Sequence, residues 1–262
     1  MLAAERHTKI LDEVRRNGAA RVVDLARSLD VSEMTVRRDL DVLAREGRLE
    51  KVHGGATRRV ASAEEPGFEV KSLRQPVEKE AIAAAAAEMI TPGSAIGLSA
   101  GTTTWSLARR LRGVGDLTVV TNSMRVADVL HGAATSSQNV VLTGGVRTPS
   151  DALVGPLAVA ALERLHLDVV FLGVHGMDDS AGYTTPNLLE ADADRALVAA
   201  GRRLVVLADH TKWGTVGLST IAALDQADVV ISDEALPDEG RRILEERVAE
   251  VRLVPSGASE RR

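Results

Sequence analysis

The sequence predicts an α/β chain in two parts. A small head with helix-turn-helix order fills residues 1–57, and an open, mainly parallel, Rossmann-like sheet domain fills residues 76–256. Three observations predict this. Two short amphipathic helical patterns, a tight turn between them and a Gly-Gly ribbon occupy Ala20 to Ala56. Six short apolar runs, with Val251–Val254 as a candidate seventh, recur between helical patterns farther on. Between the two regions, Arg58 to Gln75 combines mixed polarity with a Pro66-Gly67 turn and has no periodicity, so it reads as a linker. Residues 257–262 read as a flexible tail.

The head begins with a helix carrying Ile10, Leu11 and Val14 on one face. Val22, Leu25, Ala26 and Leu29 then recur at helical spacing and form the buried stripe of a two-turn helix. Asp30 and Val31 leave room only for a sharp turn. Ser32 is placed to cap the next helix, and Glu33 in its first turn complements the helix dipole. Along that helix Val36, Leu40 and Leu43 face the core, so Met34, Arg37, Arg38 and Arg45 project away from it. Outward arginines near a helix start suit the major groove, where a guanidinium grips guanine O6 and N7 with two parallel bonds. Ser32 and Thr35 suit phosphate oxygens. Arg48 to Val52, between Gly47 and Gly54-Gly55, is short enough for a two-stranded wing, on which Lys51 and His53 could touch the DNA backbone. Winged-helix units also serve as protein-binding modules, and charge bears on the choice. Residues 1–60 hold 13 Lys+Arg against 10 Asp+Glu, a balance of +3, whereas the remainder carries −8. A basic head on an acidic body concentrates attraction for phosphates where the outward helix lies.

In the body the apolar runs are Ala95–Leu98, Leu117–Val120, Val140–Leu142, Val169–Leu172, Leu204–Leu207 and Val229–Ile231. Each is followed by small, hydroxyl or charged residues: SAGTTT, TNS, TGGVR, GVHG, ADHTK and SD. Open sheets of this kind bind ligands at the carboxyl ends of their strands. Ser99 to Thr104 is the sharpest of these segments. Gly101 permits close backbone approach, and Thr102, Thr103 and Thr104 open the next helix, which makes a cradle for an anion such as phosphate. A glycine turn with an ordinary threonine cap accounts for the same residues. Gly144-Gly145 with Arg147 offers a second backbone surface and a charge. Lys212 offers a point charge to the same anion, although a lone lysine is commonly a surface residue. No Walker lysine and no dinucleotide spacing accompany the loop, so neither ATP nor NAD is implied.

Composition narrows the classes further. At 262 residues the body is large enough for its own core, and the absence of cysteine removes disulfides and thiolate chemistry. The six histidines are scattered, so no metal and no cofactor are expected. The Ala83–Ala87 run ends at Glu88, too short to span a bilayer, and reads as a close-packing helix face. With no charged-then-apolar leader, the expected location is the cytoplasm, on the nucleoid.

Arg6-His7, the run VDLARSLDVSEMTVRRDLDVLAREGRL and VHGGA together closely resemble the DeoR-type family of bacterial transcription regulators. The resemblance covers nearly the whole chain. It implies a head that binds double-stranded operator DNA, usually as a repressor, and a sensor body. The sensor commonly answers a phosphorylated sugar or related metabolite, and the target is then a carbohydrate-catabolic operon. Sensor domains of the family look like those of ribose-5-phosphate isomerase, glucosamine-6-phosphate deaminase and CoA-transferases. The GTTT segment, the Asn122 turn, Gly144-Gly145, Asp209 to Lys212 and GYTTPNLLEADADRALV match the pattern. Ser99 stands where the family usually has Asp, and Asp194 where it often has Lys.

The implied effector residues are Ser99, Gly101, Thr102, Thr103, Thr104, Asn122, Gly144, Gly145, Arg147, Glu190 and Lys212, with Glu190 on an effector hydroxyl. A homodimer or homotetramer is the expected assembly. The competing expectation is a sugar-phosphate isomerase-like enzyme fused to a DNA-binding domain. Glu190, Asp192, Asp178 and Asp179 are its candidate acids and bases by type. Asp178-Asp179 is equally an ordinary polar turn, and Glu190 to Asp194 an acidic helix start, so no catalytic residue is assigned.

Overall fold

In the computed structural model, residues 3–17, 19–45, 48–52, 54–57, 67–131 and 137–255 are described. The chain divides into two units, Met1–Ala61 and Ser62–Arg262. Among the described residues no helix is long and apolar enough to cross a membrane.

The first unit runs α1 (Ala3–Asn17), β1 (Ala19–Arg21), α2 (Val22–Leu29), α3 (Glu33–Arg45), β2 (Glu50–Val52) and β3 (Gly55–Thr57). The helical stripes read from sequence meet in one core. Ile10, Leu11 and Val14 pack with Val22, Leu25 and Leu29 and with Val36, Leu40 and Leu43. Ala26 packs against that core partly buried. The wing has three strands rather than two, in the antiparallel order β1-β3-β2. The third strand comes from Ala19–Arg21, whose small residues let β3 lie close. A Cβ on Gly55 would stand 2.4 Å from the Ala20 carbonyl oxygen, so the second glycine of the ribbon is required by β1.

The second unit opens inside the stretch that reads as a linker. Residues 58–66 lie outside the described residues, but α4 (Phe68–Ser72) and α5 (Pro76–Ala87) follow at once. Phe68 is buried edge-on against Trp105, with ring centroids 5.7 Å apart, and Arg125 lies over its other side. One aromatic anchor is enough to fold a segment that shows no periodicity. Ala83 and Ala86 are fully buried beside Ile82 and Leu107, as a close-packing alanine face should be.

From there the elements are β4 (Ala95–Leu98), α6 (Thr102–Arg110), β5 (Thr118–Thr121), α7 (Met124–His131) and β6 (Asn139–Leu142), then the pair β7 (Val146–Arg147) and β8 (Leu153–Val154). Next come α8 (Pro156–Leu162), β9 (Val169–Gly173), β10 (Gly176–Asp178), β11 (Gly182–Thr185), α9 (Leu188–Ala200), β12 (Leu204–Leu207), β13 (Ser219–Ala222), β14 (Val229–Asp233), α10 (Asp238–Arg247) and β15 (Glu250–Val254).

All seven apolar runs become strands of one sheet, ordered β15-β14-β12-β9-β4-β5-β6, and every neighbouring pair is parallel. Both faces are covered over the centre, which is why the central runs are continuously apolar. Val169 and Phe171 pack on one face with Ile96, Leu98, Val205 and Leu207. Val170 and Leu172 pack on the other with Val206, Val230 and Tyr183. Burying a side chain such as Phe171 contributes about 1.5–3 kcal/mol.

A second, antiparallel sheet of order β10-β11-β13 lies outside the seven-stranded one. The chain builds outward from β4 through β5 to β6, then returns to β9 on the other side of β4 and proceeds through β12 and β14 to β15. The sheet therefore reverses direction of growth between β4 and β9, where the loops leaving adjacent strands diverge and open a crevice.

Candidate functional site

In the first unit Ser32 caps α3 as expected: its Oγ accepts the Thr35 amide at 3.2 Å and lies 2.9 Å from Thr35 Oγ1. Met34 is 59 % exposed, and Glu33, Arg37 and Arg38 are exposed too, so the outward face read from sequence is an outward face here. Arg37 Nη2 sits 3.5 Å from Glu33 Oε2 one turn away. That pair places Glu33 as a partner of Arg37. Arg45 and Lys51 fall on α3 and β2, but their side chains, and His53 altogether, lie outside the described residues.

Sequence reasoning missed what holds α3 in place. Asp39, between the arginines and Leu40, is buried and turned inward, where its carboxylate accepts Arg6 Nε at 2.7 Å and Arg6 Nη2 at 3.0 Å. His7 Nε2 lies 3.0 Å from the same group. Burial pushes this carboxyl up, yet the hydrogen bonds from Arg6 and His7 outweigh it and hold it below the usual carboxylate range. The adjacent Arg6-His7 and Asp39 belong to one clamp between α1 and α3, and 31 intervening residues conceal it from a local reading.

In the second unit an open cleft of about 500 Å³ lies at the reversal point. Three adjacent central strands deliver its floor. β4 supplies Ala100 to Thr103, β9 supplies Gly173, Val174 and His175, and the loop after β12 supplies Lys212. Thr185 ends β11, while Glu190 and Asp194 stand one turn apart on α9. Lys71 of α4 completes the lining. Asn187 caps α9 by accepting the Leu189 and Glu190 amides, which fixes the register that turns both carboxylates inward. Glu190 is anchored further, accepting Thr148 Oγ1 at 2.6 Å and Ser150 Oγ.

Of the eleven expected effector residues, Gly101, Thr102, Thr103, Glu190 and Lys212 meet in this cleft. The others take supporting places. Ser99 is fully buried, and its Oγ accepts the Gly173 amide at 2.9 Å, tying the ends of β4 and β9. Asn122 Oδ1 accepts the Ala100 amide at 2.9 Å, and Thr104 donates to the Gly101 carbonyl at 3.0 Å. These three shape the cradle. Gly144 and Gly145 belong instead to the β7–β8 pair, and a Cβ on Gly145 would stand 2.4 Å from the Val154 carbonyl oxygen. Arg147 points to Asp151, its Nε 2.6 Å from Oδ1, and is 60 % exposed. Beside Ala100, Gly173 and Val174, the lining residues the expectation did not include are Lys71, His175, Thr185 and Asp194. His175 stands in GVHG, a strand-end segment, and Asp194 was visible as a departure, but Lys71 was hidden in the linker reading.

The cleft lining mixes charge types. It includes Thr102 and Thr103 at the start of α6 and Lys212, whose ammonium has no hydrogen-bond or ion-pair partner among the described residues. Burial lowers the Lys212 pKa; Asp209 opposes this, while Lys71 and Arg74 add to it. Glu190 and Asp194 bring carboxylates to the same lining. The turn bearing Lys212 is itself braced. Asp209 accepts the Thr211 amide at 3.1 Å, and buried Asp233 at the end of β14 accepts both the His210 amide and His210 Nδ1 at 2.8 Å. The hydrogen bond to Asp233 raises the His210 pKa against the opposing effect of burial. Trp213, next along, lays its indole against Gly240 of α10. Among the described residues no group of three or more His, Cys, Asp or Glu is arranged to hold a metal.

These two sites match one family over both units. The model of the DeoR-like helix-turn-helix domain matches residues 6–60, and that of the DeoR C-terminal sensor domain matches residues 74–234. The chain is 34 % identical to the uncharacterized HTH-type transcriptional regulator YulB of Bacillus subtilis over 97 % of this chain and 98 % of that one. It is 35 % identical to the HTH-type transcriptional regulator GolR of Listeria innocua, over 90 % and 92 % respectively. It is 31 % identical to the HTH-type transcriptional repressor CsqR of Escherichia coli, over 95 % and 94 %. Among solved structures, ribose 5-phosphate isomerase A of Methanocaldococcus jannaschii superposes with a TM-score of 0.38 at 15 % identity, over 52 % of this chain and 53 % of that one. With a capped, outward-facing α3 in one unit, a strand-end cleft in the other, and relatives aligned from end to end, the chain belongs to the DeoR family of HTH-type transcriptional regulators.

Proposed function

We propose that this regulator represses a carbohydrate-catabolic operon in the cytoplasm and releases it when a phosphorylated sugar or related metabolite fills the cleft. The lining carries the reading, because it brings Thr102, Thr103 and Lys212 together with Glu190 and Asp194. A phosphate docks on the Thr102–Thr103 start of α6 and on Lys212, where helix amides and an ammonium both favour an anion. Hydroxyls at the other end of the same small molecule donate to Glu190 and Asp194. Arg37 and Arg38 read base edges, while Ser32 and Thr35 meet phosphate. A homodimer or homotetramer presents paired heads to half-sites about one helical turn, ~10.5 bp, or a multiple apart. Effector binding favours an arrangement that no longer fits that spacing. A tenfold derepression needs ~1.4 kcal/mol of difference in effector affinity between the two states.

Gel-shift titration of the full chain on its native upstream region, with and without a panel of sugar phosphates, tests this. The expected result is a specific complex weakened by at least one compound. Unchanged DNA affinity across the saturating panel refutes the sensor reading. The enzymatic alternative rests on Glu190, a buried carboxylate at the cleft. Turnover of a sugar phosphate followed by NMR, and lost in Glu190→Gln, would favour that alternative.

A further inference from the structure

We propose that His210 is a positioning residue of the sensor cleft: its ring clamps the turn that presents Lys212, and the proton on that ring couples anion binding to pH. The inference rests on the anion-binding reading of the cleft and adds to it a residue that stands outside the lining. His210 and Lys212 are the two ends of one short 3₁₀ turn. The His210 ring is gripped from two sides. Its Nδ1 lies 2.8 Å from Asp233 Oδ1 at the end of β14, and its Nε2 lies 3.4 Å from Nε2 of Gln75, the residue before α5. The Gln75 carbonyl in turn accepts the Lys79 amide at 3.1 Å, which ties that side of the clamp to α5. The turn is thereby strung between the central sheet and the helix packed over it.

The chemistry of the two partners makes the clamp responsive. Burial pushes Asp233 up, yet the hydrogen bonds from His210 hold it below the usual carboxylate range, so near neutrality it is an acceptor for the Nδ1 proton. A neutral ring then keeps a lone pair at Nε2, to which the Gln75 amide nitrogen donates. A charged ring carries a proton there, and the Gln75 amide, rotated, accepts it with its oxygen. The charged groups facing the ring are all acidic: Asp233 from β14, Asp209 from its own turn and Glu78 from α5. The hydrogen bond to Asp233 raises His210 against the effect of burial, so the charged ring persists above its ordinary value of ~6.5. In that state the bond to Asp233 is charge-assisted; as pH climbs through the folded value it becomes a weaker, neutral one. Anion affinity follows the fraction of molecules whose turn holds Lys212 in place, so it falls with the clamp. By reciprocity, a bound anion must hold the proton on His210.

The test uses the full chain and inorganic sulfate, a dianion that does not itself titrate near neutrality, in calorimetry at pH ~6 and ~9. Wild type should lose about fivefold more affinity across that interval than His210→Asn, the difference between a charge-assisted and a neutral hydrogen bond. The asparagine amide keeps a neutral bond to Asp233 with no ring to titrate. What fall remains in that variant belongs to Lys212, which burial lowers, and to Lys79, which burial brings down to about 8. Gln75→Glu sets a carboxylate against Nε2 and should carry the wild-type fall to higher pH, a displacement that a packing role for Gln75 would not produce. Saturating sulfate should also raise the His210 midpoint followed by NMR of the ring. An equal fall in wild type and His210→Asn, or a His210 midpoint indifferent to sulfate, overturns the proposal and leaves the cleft reading standing. Absence of sulfate binding at either pH overturns both.

Discussion

Asp233 gives the sharpest handle on the sensor unit, because one buried carboxylate orders the turn that presents Lys212. It accepts three hydrogen bonds, from the His210 amide, His210 Nδ1 and the Ala235 amide. Asp233→Ala strands those donors. The His210 ring, about a quarter exposed, regains water, so the two amides dominate the loss. At about 1–3 kcal/mol for each buried group left unmade, the total is about 2–6 kcal/mol. Asp233→Asn keeps an acceptor and should lose about 1–2 kcal/mol, and its loss should depend on pH. The sign follows from the two shifts. His210 is raised, so its contribution is complete below the unfolded value near ~6.5 and fades as pH climbs through the folded one. Asp233 is lowered because the hydrogen bonds from His210 overcome burial, so its contribution is complete above ~3.9 and fades on acidification. The gap between wild type and Asp233→Asn should be wide near pH ~6 and narrow near pH ~9. Both tryptophans, Trp105 and Trp213, belong to this unit, so urea denaturation followed by indole fluorescence reports it alone. An equal gap at both pH values refutes the His210–Asp233 account.

Three further outcomes are expected. Arg38→Ala should cost about 1–3 kcal/mol of specific operator binding while leaving phosphate affinity unchanged; equal losses on operator and random DNA would reassign Arg38 to backbone contact. Asp39→Ala should lower the thermal stability of the head and weaken operator binding, although Asp39 is buried and turned toward α1. Because its carboxyl is depressed, the wild-type advantage should hold at neutral pH and vanish on acidification, and circular dichroism melts at both ends of that range check it. Thr103→Val combined with Lys212→Ala should spare operator affinity in gel shifts but abolish calorimetric binding of inorganic phosphate. Undiminished phosphate binding in that double variant places the anion elsewhere.

The seven-stranded sheet was legible because strands buried on both faces must be apolar throughout, and Val169–Leu172 or Leu204–Leu207 can be little else. The second sheet was not. Gly176–Asp178 and Gly182–Thr185 form a local hairpin with too few large apolar groups to stand out, and the third strand, Ser219–Ala222, joins it from a distant part of the chain. The same distinction governs the site. Gly101, Thr102 and Thr103 were readable from a strand-turn-helix pattern, a local signal. Ser99 and Asn122 were equally visible but bond inward, and only geometry separates a residue that meets a ligand from one that holds the loop. Lys71 lay beyond reach because α4 owes its helix to Phe68 docking on Trp105, a contact no local pattern records.

The contact between Trp213 and Gly240 has a consequence for how relatives of this protein could diverge. A single methyl at position 240 would intrude to 2.6 Å of the indole, a rigid bicycle that cannot bend aside. The displaced ring would drag its neighbour in sequence, Lys212, and so, on the proposed effector reading, alter the ligand concentration needed for a response. On that reading, sensitivity is reset by one carbon atom on an outer helix, with every residue that lines the cleft left unaltered.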